Sequence, residues 1–327
     1  MLSELEQKIL YILDEDSSQS LTEIGEKVGI TPQLVKYHLK KMEESGIILA
    51  YWPMVDFRKL GYSNTSFFLK LKNLTDSRER EILRFLKKNS QFNIVMLGDG
   101  YWDMHFTISA KSVFEAIKLF NIFFDKYSNF ILSYDIAISA GFYQFRRNYL
   151  AGKRIVRRST KKFMAYTGGE VKVESLSLQD LRIIELYNKN CRVSYAELAR
   201  LAELSRDQVI YALRKLKQKN ILQSNAILFD HEKAGFPRYR ILLQMNDLTS
   251  EKFKSFYDYC AAQPNIVHLL RLFGNWQALI DVEIGSRAEL RKILREINKK
   301  FSDLVIRIEN TQVYSIEKFR DIPSKIV

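Results

Sequence analysis

Two short stretches of this chain carry side chains suited to a polyanionic duplex. Gln33, Lys36, Tyr37, His38, Lys40 and Lys41 follow Thr31-Pro32, and Arg206, Asp207, Tyr211, Arg214 and Lys215 follow Ser205. Lys and Arg neutralise phosphates, whereas side chains near the start of a groove-bound helix reach base edges. Val35, Leu39 and Met42 recur at helical spacing and predict an inward stripe, so the cationic residues point outward or flank it. Base readout then falls to Gln33, Lys36 and Tyr37, and to Arg206, Asp207 and Tyr211. Phosphates fall to Lys40, Lys41, Arg214 and Lys215, with His38 as a further DNA contact. The plainer alternative is a three-helix bundle with a solvated basic face.

A third cationic stretch lies between these two. Arg146, Arg147, Lys153, Arg154, Arg157, Arg158, Lys161 and Lys162 occupy a window without Asp or Glu. The reading is a phosphate-tracking arm that adds salt-dependent affinity, against the alternative of a solvated connector. The net charge of +13 favours polyanionic partners. Other chemistries find no support. His38, His105, His231 and His268 lack metal-ligand spacing, and no Gly-rich phosphate loop or nucleophile elbow appears. No metal or cofactor is expected, and the histidines read mostly as structural. Cys191 and Cys260 stand alone, which suits a reducing cytoplasm. No apolar run reaches about 18 residues and no signal-peptide pattern opens the chain, so no membrane partner is expected.

The elements that position these residues occur twice. Shifting the chain by 174 positions places Ile9 on Ile183, Ser20-x-x-Glu23 on Ser194-x-x-Glu197, Val35 on Val209, Gly61 on Gly235 and Trp102 on Trp276. In each half, an amphipathic helix precedes a second helix opened by a capping box. A turn at Gly29 then leads to a capped basic helix, with Pro32 at its first position. This is a helix-turn-helix pattern. A strand through Gly46–Trp52 follows, returning through Pro53–Asp56 as a small wing or serving as a linker strand. Asn220 replaces Gly46 and tolerates the same left-handed backbone. Each half then reads βαββαβ, a ferredoxin-like sheet with both helices on one face. The fold class is α+β: two copies of a winged helix-turn-helix plus a ferredoxin-like domain.

The stretches Ile24–Thr31, Val35–Met42 and Gly46–Tyr51, with the Gly100-Tyr101-Trp102-Asp103 hairpin, resemble the leucine-responsive regulatory protein/AsnC family in a tandemly duplicated, archaeal-type form. The resemblance covers nearly all of both halves. It implies winged helix-turn-helix units at 1–57 and 176–231, ligand-sensing domains at 58–142 and 232–318, a basic linker at 143–175 and a tail at 319–327. It also implies that the second domain assembles the oligomer and binds an amino acid or other small effector near Gly100, Asp103, Gly274 and Gln277.

The halves are not equal. His38 and Ala212 stand where the family places an Arg, Lys36 is matched by Ile210, Gly29 by Glu203 and Asp103 by Gln277. The first half is therefore expected to supply most DNA affinity. The expected protein is a cytoplasmic, non-enzymatic transcription regulator. It binds double-stranded DNA as an intramolecular pseudo-dimer and is open to further homo-oligomerisation. Two alternatives share the build: a siroheme decarboxylase-like enzyme, and a sensor or scaffold that has lost DNA binding.

Overall fold

The computed structural model describes residues 2–151 and 164–319. Helices α1 (Glu4–Glu15), α2 (Leu21–Val28) and α3 (Pro32–Glu44) precede strand β1 (Ile48–Val55). Then come β2 (Ser63–Leu71), α4 (Asp76–Lys88), β3 (Phe92–Gly100), β4 (Met104–Ala110), α5 (Val113–Tyr127) and β5 (Ile131–Gln144). A short β6 (Ala165–Gly168) leads to α6 (Leu178–Lys189), α7 (Tyr195–Ala202), α8 (Arg206–Gln218) and β7 (Leu222–Phe229). The second half closes with β8 (Arg238–Met245), α9 (Ser250–Ala262), β9 (Ile266–Gly274), β10 (Ala278–Glu283), α10 (Arg287–Lys300) and β11 (Val305–Phe319). This is the expected α+β class in two copies.

Local chemistry starts the helices. Reciprocal capping boxes open α1 (Ser3/Glu6), α2 (Ser20/Glu23), α6 (Ser177/Asp180) and α8 (Ser205/Gln208). The box expected at Ser194 is half formed: Ser194 caps α7, but the Glu197 carboxylate takes two bonds from Arg200 instead. Gly46 (φ 67°) and Asn220 (φ 53°) share a left-handed backbone after the basic helices, as their alignment predicted.

The turn before each basic helix is less even. Gly29 sits at φ 78° and its counterpart Glu203 at φ 57°. A side chain in that region costs about 1–2 kcal/mol. Glu203→Gly should therefore raise the urea midpoint by the equivalent of about 1 kcal/mol at constant slope. A variant no more stable than the parent would contradict this.

Strand β1 does not fold back on itself. It continues through Pro53, Met54 and Val55 and pairs antiparallel with β7 of the other half, Tyr51 opposite Ile227. The linker-strand alternative holds, and the return over Pro53–Asp56 does not form. Pro53 is tolerated because this sheet has only two strands, so its missing donor interrupts no inner ladder. Around this ribbon the two helical units fuse: Ile9, Leu10, Leu13, Val35 and Leu39 belong to the same buried cluster as Ile183, Ile184, Val209 and Leu213. The amide of Ser17 donates to Asn225 O (3.0 Å) and that of Cys191 to Tyr51 O (3.2 Å), the same bond made from each half to the other. Ser17 Oγ and Cys191 Sγ lie 3.1 Å apart at the local two-fold axis.

The other strands close a ring. Each half has the order expected of βαββαβ, β5-β2-β4-β3 and β11-β8-β10-β9. The halves join at both edges, β3 to β11 and β9 to β5. No sheet edge is left open within the ring, which removes a route to aggregation. Helices α4 and α5 cover one outer face and α9 and α10 the other, each over its own core. A fourth cluster, including Phe68, Met96, Trp102, Leu242, Trp276, Leu279 and Val313, fills one end of the interior.

The connector expected over 143–175 is ordered at both ends where described. Strand β5 runs on to Gln144, and β6 returns to pair with it, Tyr143 opposite Tyr166.

Candidate nucleic-acid interface

Helices α3 and α8 are packed on one side only. Gln33, Lys36, Tyr37 and Lys40 are exposed on α3, and Arg206, Asp207, Tyr211 and Arg214 on α8. Tyr37 is 61 % exposed and Tyr211 68 %. A large aromatic ring left so open at the same place in both copies is not there for the core. Thr31 and Ser205 spend their side-chain oxygens on the Leu34 and Gln208 amides, so they set the helix starts.

Three expected contacts are held internally. His38 turns away from the open face: Nδ1 lies 3.3 Å from Glu6 Oε1, and the side chain is 14 % exposed. This corrects its reading as an outward DNA contact. Lys41 Nζ donates to the same Glu6 oxygen at 2.8 Å, and Lys215 Nζ donates to Asp180 Oδ2 at 2.5 Å. Glu6 and Asp180 are one repeat apart, so each basic helix is tied to the first helix of its unit by the same ion pair. Burial alone would raise the Glu6 pKa, but bonds from Lys41, Ser3 and His38 outweigh it and bring it down to about 2. Among the described residues of these helices, the cations without an ion pair are then Lys36 on α3 and Arg206, Arg214 and Lys217 on α8, with Lys40 3.5 Å from the exposed Glu44.

The basic connector is corrected where it is described. Arg146 pairs with Glu15 at 3.0 Å. Arg147 is 3 % exposed, bonded to Asp14 and to Glu283 (2.8 Å) and lying over the Phe229 ring. No phosphate can reach it there. Lys153, Arg154, Arg157, Arg158, Lys161 and Lys162 lie outside the described residues.

The hairpins expected to hold an effector are used in closing the ring. A Cβ on Gly100 would meet Asn310 O at 2.4 Å, and one on Gly274 would meet Ile136 O at 2.4 Å. Asp103 accepts from Lys70 (2.6 Å) and the Leu71 amide (2.7 Å). Gln277 donates to Gly274 O (2.9 Å) and accepts from the Met245 amide (2.8 Å). These groups fasten each hairpin to its surroundings. Asp135 serves the same end, accepting from Tyr101, Asn275 and Trp276.

The open end of the ring holds polar groups that the histidine spacing did not reveal. At four inward positions of β2 and β4 the first half has neutral residues, Asn64 opposite Ser109 and Ser66 opposite Thr107. The second half has Arg238 opposite Glu283 and Arg240 opposite Asp281. Arg240 makes a bidentate pair with Asp281 (2.7 and 2.8 Å), and Arg238 binds Glu283 (2.5 and 3.1 Å). Asp281 Oδ2 also receives His268 Nδ1 at 2.9 Å. Burial acts to raise both acids, but the guanidiniums hold them well below the usual carboxylate range. The signal was present in the repeat: charged residues replace Asn, Ser and Thr at alternating strand positions. Among the described residues, no cluster of His, Cys, Asp and Glu could hold a metal ion, and no helix is long and apolar enough to cross a membrane.

Comparison with known proteins agrees with this geometry. The profile described as winged helix-turn-helix DNA-binding matches residues 2–48 and again 176–223. The regulator LrpB of Bacillus subtilis is 32 % identical over 108 residues, covering 32 % of this chain and 71 % of that protein. The regulatory protein AsnC of Haemophilus influenzae is 29 % identical over 122 residues, covering 37 % of this chain and 74 % of its own length. Among solved structures, the siroheme decarboxylase NirDL superposes over 98 % of this chain and 94 % of its own with a TM-score of 0.60 and 14 % identity, a likeness of fold alone. The chain belongs to the leucine-responsive regulatory protein/AsnC family, with two copies of the family's architecture in one polypeptide.

Proposed function

We propose that this protein is a sequence-specific, double-stranded-DNA-binding transcription regulator. The carrying observation is that two capped helices, α3 and α8, present uncommitted polar and cationic side chains from equivalent places on one shared core. Base edges would be read by Gln33, Lys36 and Tyr37 and by Arg206, Asp207 and Tyr211. Phosphates would be met by Lys40 and Arg214, and by the outer sides of Lys41 and Lys215. The named relatives LrpB and AsnC, which are regulators, support the reading.

The test is selection of duplex fragments from the source genome, followed by affinity against salt. Each phosphate neutralised adds about 0.9 to the log–log slope. Lys36→Gln with Lys40→Gln should lower the slope by roughly two and weaken binding more than Arg206→Gln with Arg214→Gln. In α8, Asp207 works against phosphate attraction; in α3 the exposed acids Glu43 and Glu44 lie at the far end. Equal losses would show that the halves contribute equally, and no binding at low salt would overturn the function.

The enzyme alternative has one observation in its favour: His105, His268, Arg238 and Arg240 converge inside a fold shared with a siroheme decarboxylase. Against it, the named relatives LrpB and AsnC are regulators, and the non-enzymatic reading is preferred.

A further inference from the structure

We propose that the open end of the barrel is a binding site for one small aromatic carboxylate. The cavity is lined by strand β1 (Trp52, Met54) and by barrel residues including His105, Arg240, His268 and Phe142. At about 130 Å³ it matches a single aromatic ring with a short substituent.

The polar chemistry of the wall follows from hydrogen-bond logic. Arg240 Nη1 lies 3.2 Å from His105 Nδ1. A guanidinium only donates, so Nδ1 must accept and the ring proton resides on Nε2. His105 is buried, and its Nε2 has no partner among the described residues. It is therefore an N–H donor without an acceptor among the described residues, on a residue that lines the cavity. Trp52 Nε1 is a second buried donor without a partner among the described residues, in the same wall. A buried donor left unmatched costs about 1–3 kcal/mol, which a ligand oxygen would recover.

Charge and shape narrow the class. Three guanidiniums, Arg58, Arg238 and Arg240, and one carboxylate, Asp56, line the cavity, while Glu283 and Asp281, the partners of Arg238 and Arg240, are not among its lining residues. The wall thus favours a negative charge on the occupant. Apolar walls from Phe57, Ile94, Phe142, Leu270 and Phe319 suit its ring.

The site is single by construction. The first half offers Asn64, Ser66 and Ile94 where the second offers Arg238, Arg240 and His268, and Leu279 stands opposite His105 in the repeat. It also lies at the far end of the barrel from the Gly100 and Gly274 hairpins: along β8, Arg238 and Arg240 precede Leu242, which belongs to the apolar cluster at the closed end. An occupant would touch both the barrel and the ribbon that joins the two helix-turn-helix units.

The test uses the full chain labelled with ¹⁵N-tryptophan, whose three indoles give three N–H signals. Benzoate, phenylacetate and 4-hydroxybenzoate are titrated separately. At least one should move the Trp52 signal saturably, and benzyl alcohol should bind at least about tenfold more weakly. His105→Leu, which copies Leu279, should weaken the acid at least about tenfold while the Trp102 and Trp276 signals stay dispersed. Should that variant lose those signals, Trp52→Phe followed by calorimetry decides, with a loss of about fivefold or more expected. No saturable shift from any of the three acids, or unchanged affinity in a folded variant, would overturn the site. None of these outcomes depends on DNA binding.

Discussion

Inserting five base pairs between the two half-sites of this protein's operator should weaken binding by roughly 10²–10⁴-fold, the advantage that linking two binding modules confers. Five base pairs turn one half-site to the opposite side of the duplex. In a chain whose helix-turn-helix units hung on a loose tether, the second unit could follow. Here it cannot, because Ile9, Leu10, Ile183 and Ile184 pack into one cluster and β1 is laddered to β7. The same rigidity predicts a second loss. Inserting ten base pairs restores the helical face but adds about 34 Å of separation, and the fused core cannot stretch to meet it. A flexible pair would lose affinity for five and regain it for ten; this protein should lose it for both. Quantitative mobility-shift measurements on the three spacings decide. A change of less than threefold for the five-base-pair insertion would mean that one helix carries the binding alone.

Much of this was readable because the chain states its plan twice. Capping residues, the turn at Gly29 and the stripe Val35–Leu39–Met42 act locally, so their spacing alone predicts the helices they form. The βαββαβ order follows from alternation and helical period in the same way. What the spacing could not show is where the repeat is used asymmetrically or across halves. Pro53–Asp56 looked like a return strand because a single copy has no partner for β1; the partner, β7, lies in the other copy. Gly100, Asp103, Gly274 and Gln277 were expected near an effector on the family resemblance alone; Asn310 and Ile136 crowd the two glycines from distant strands, and Lys70 and the Met245 amide hold the two side chains. Arg147 looked like one more cation in a basic run, since no acid lies near it in sequence. Its partners Asp14 and Glu283 come from the first helix and a barrel strand. Long-range pairing of charges leaves no periodic trace, whereas the caps and stripes do.

Arg147→Ala should cost about 3–5 kcal/mol of folding stability, the usual penalty for removing one member of a buried ion cluster. The guanidinium binds Asp14 of α1 and Glu283 of β10, and Glu283 also receives Arg238 and the Tyr149 hydroxyl. Without Arg147, Glu283 keeps Arg238, but Asp14 keeps no cation among the described residues. The loss should depend on pH in a defined direction. Burial already raises the Asp14 pKa to about 6, against 3.8 for an unperturbed Asp, even with Arg147 offsetting it. A carboxyl whose folded pKa is raised contributes most below its unfolded value, and that contribution is lost as pH rises through the folded value. Removing the cation raises the folded pKa further. The variant should therefore stand closest to the parent near pH 5, where Asp14 takes a proton, and fall farthest behind near pH 8, where it must ionise in the interior or hold its proton against the solvent. Urea denaturation at both pH values measures this, and Arg147→Ala with Asp14→Asn should recover part of the pH 8 deficit. A deficit independent of pH, or absent, would show that the buried cluster does not hold the first helix-turn-helix unit to the barrel.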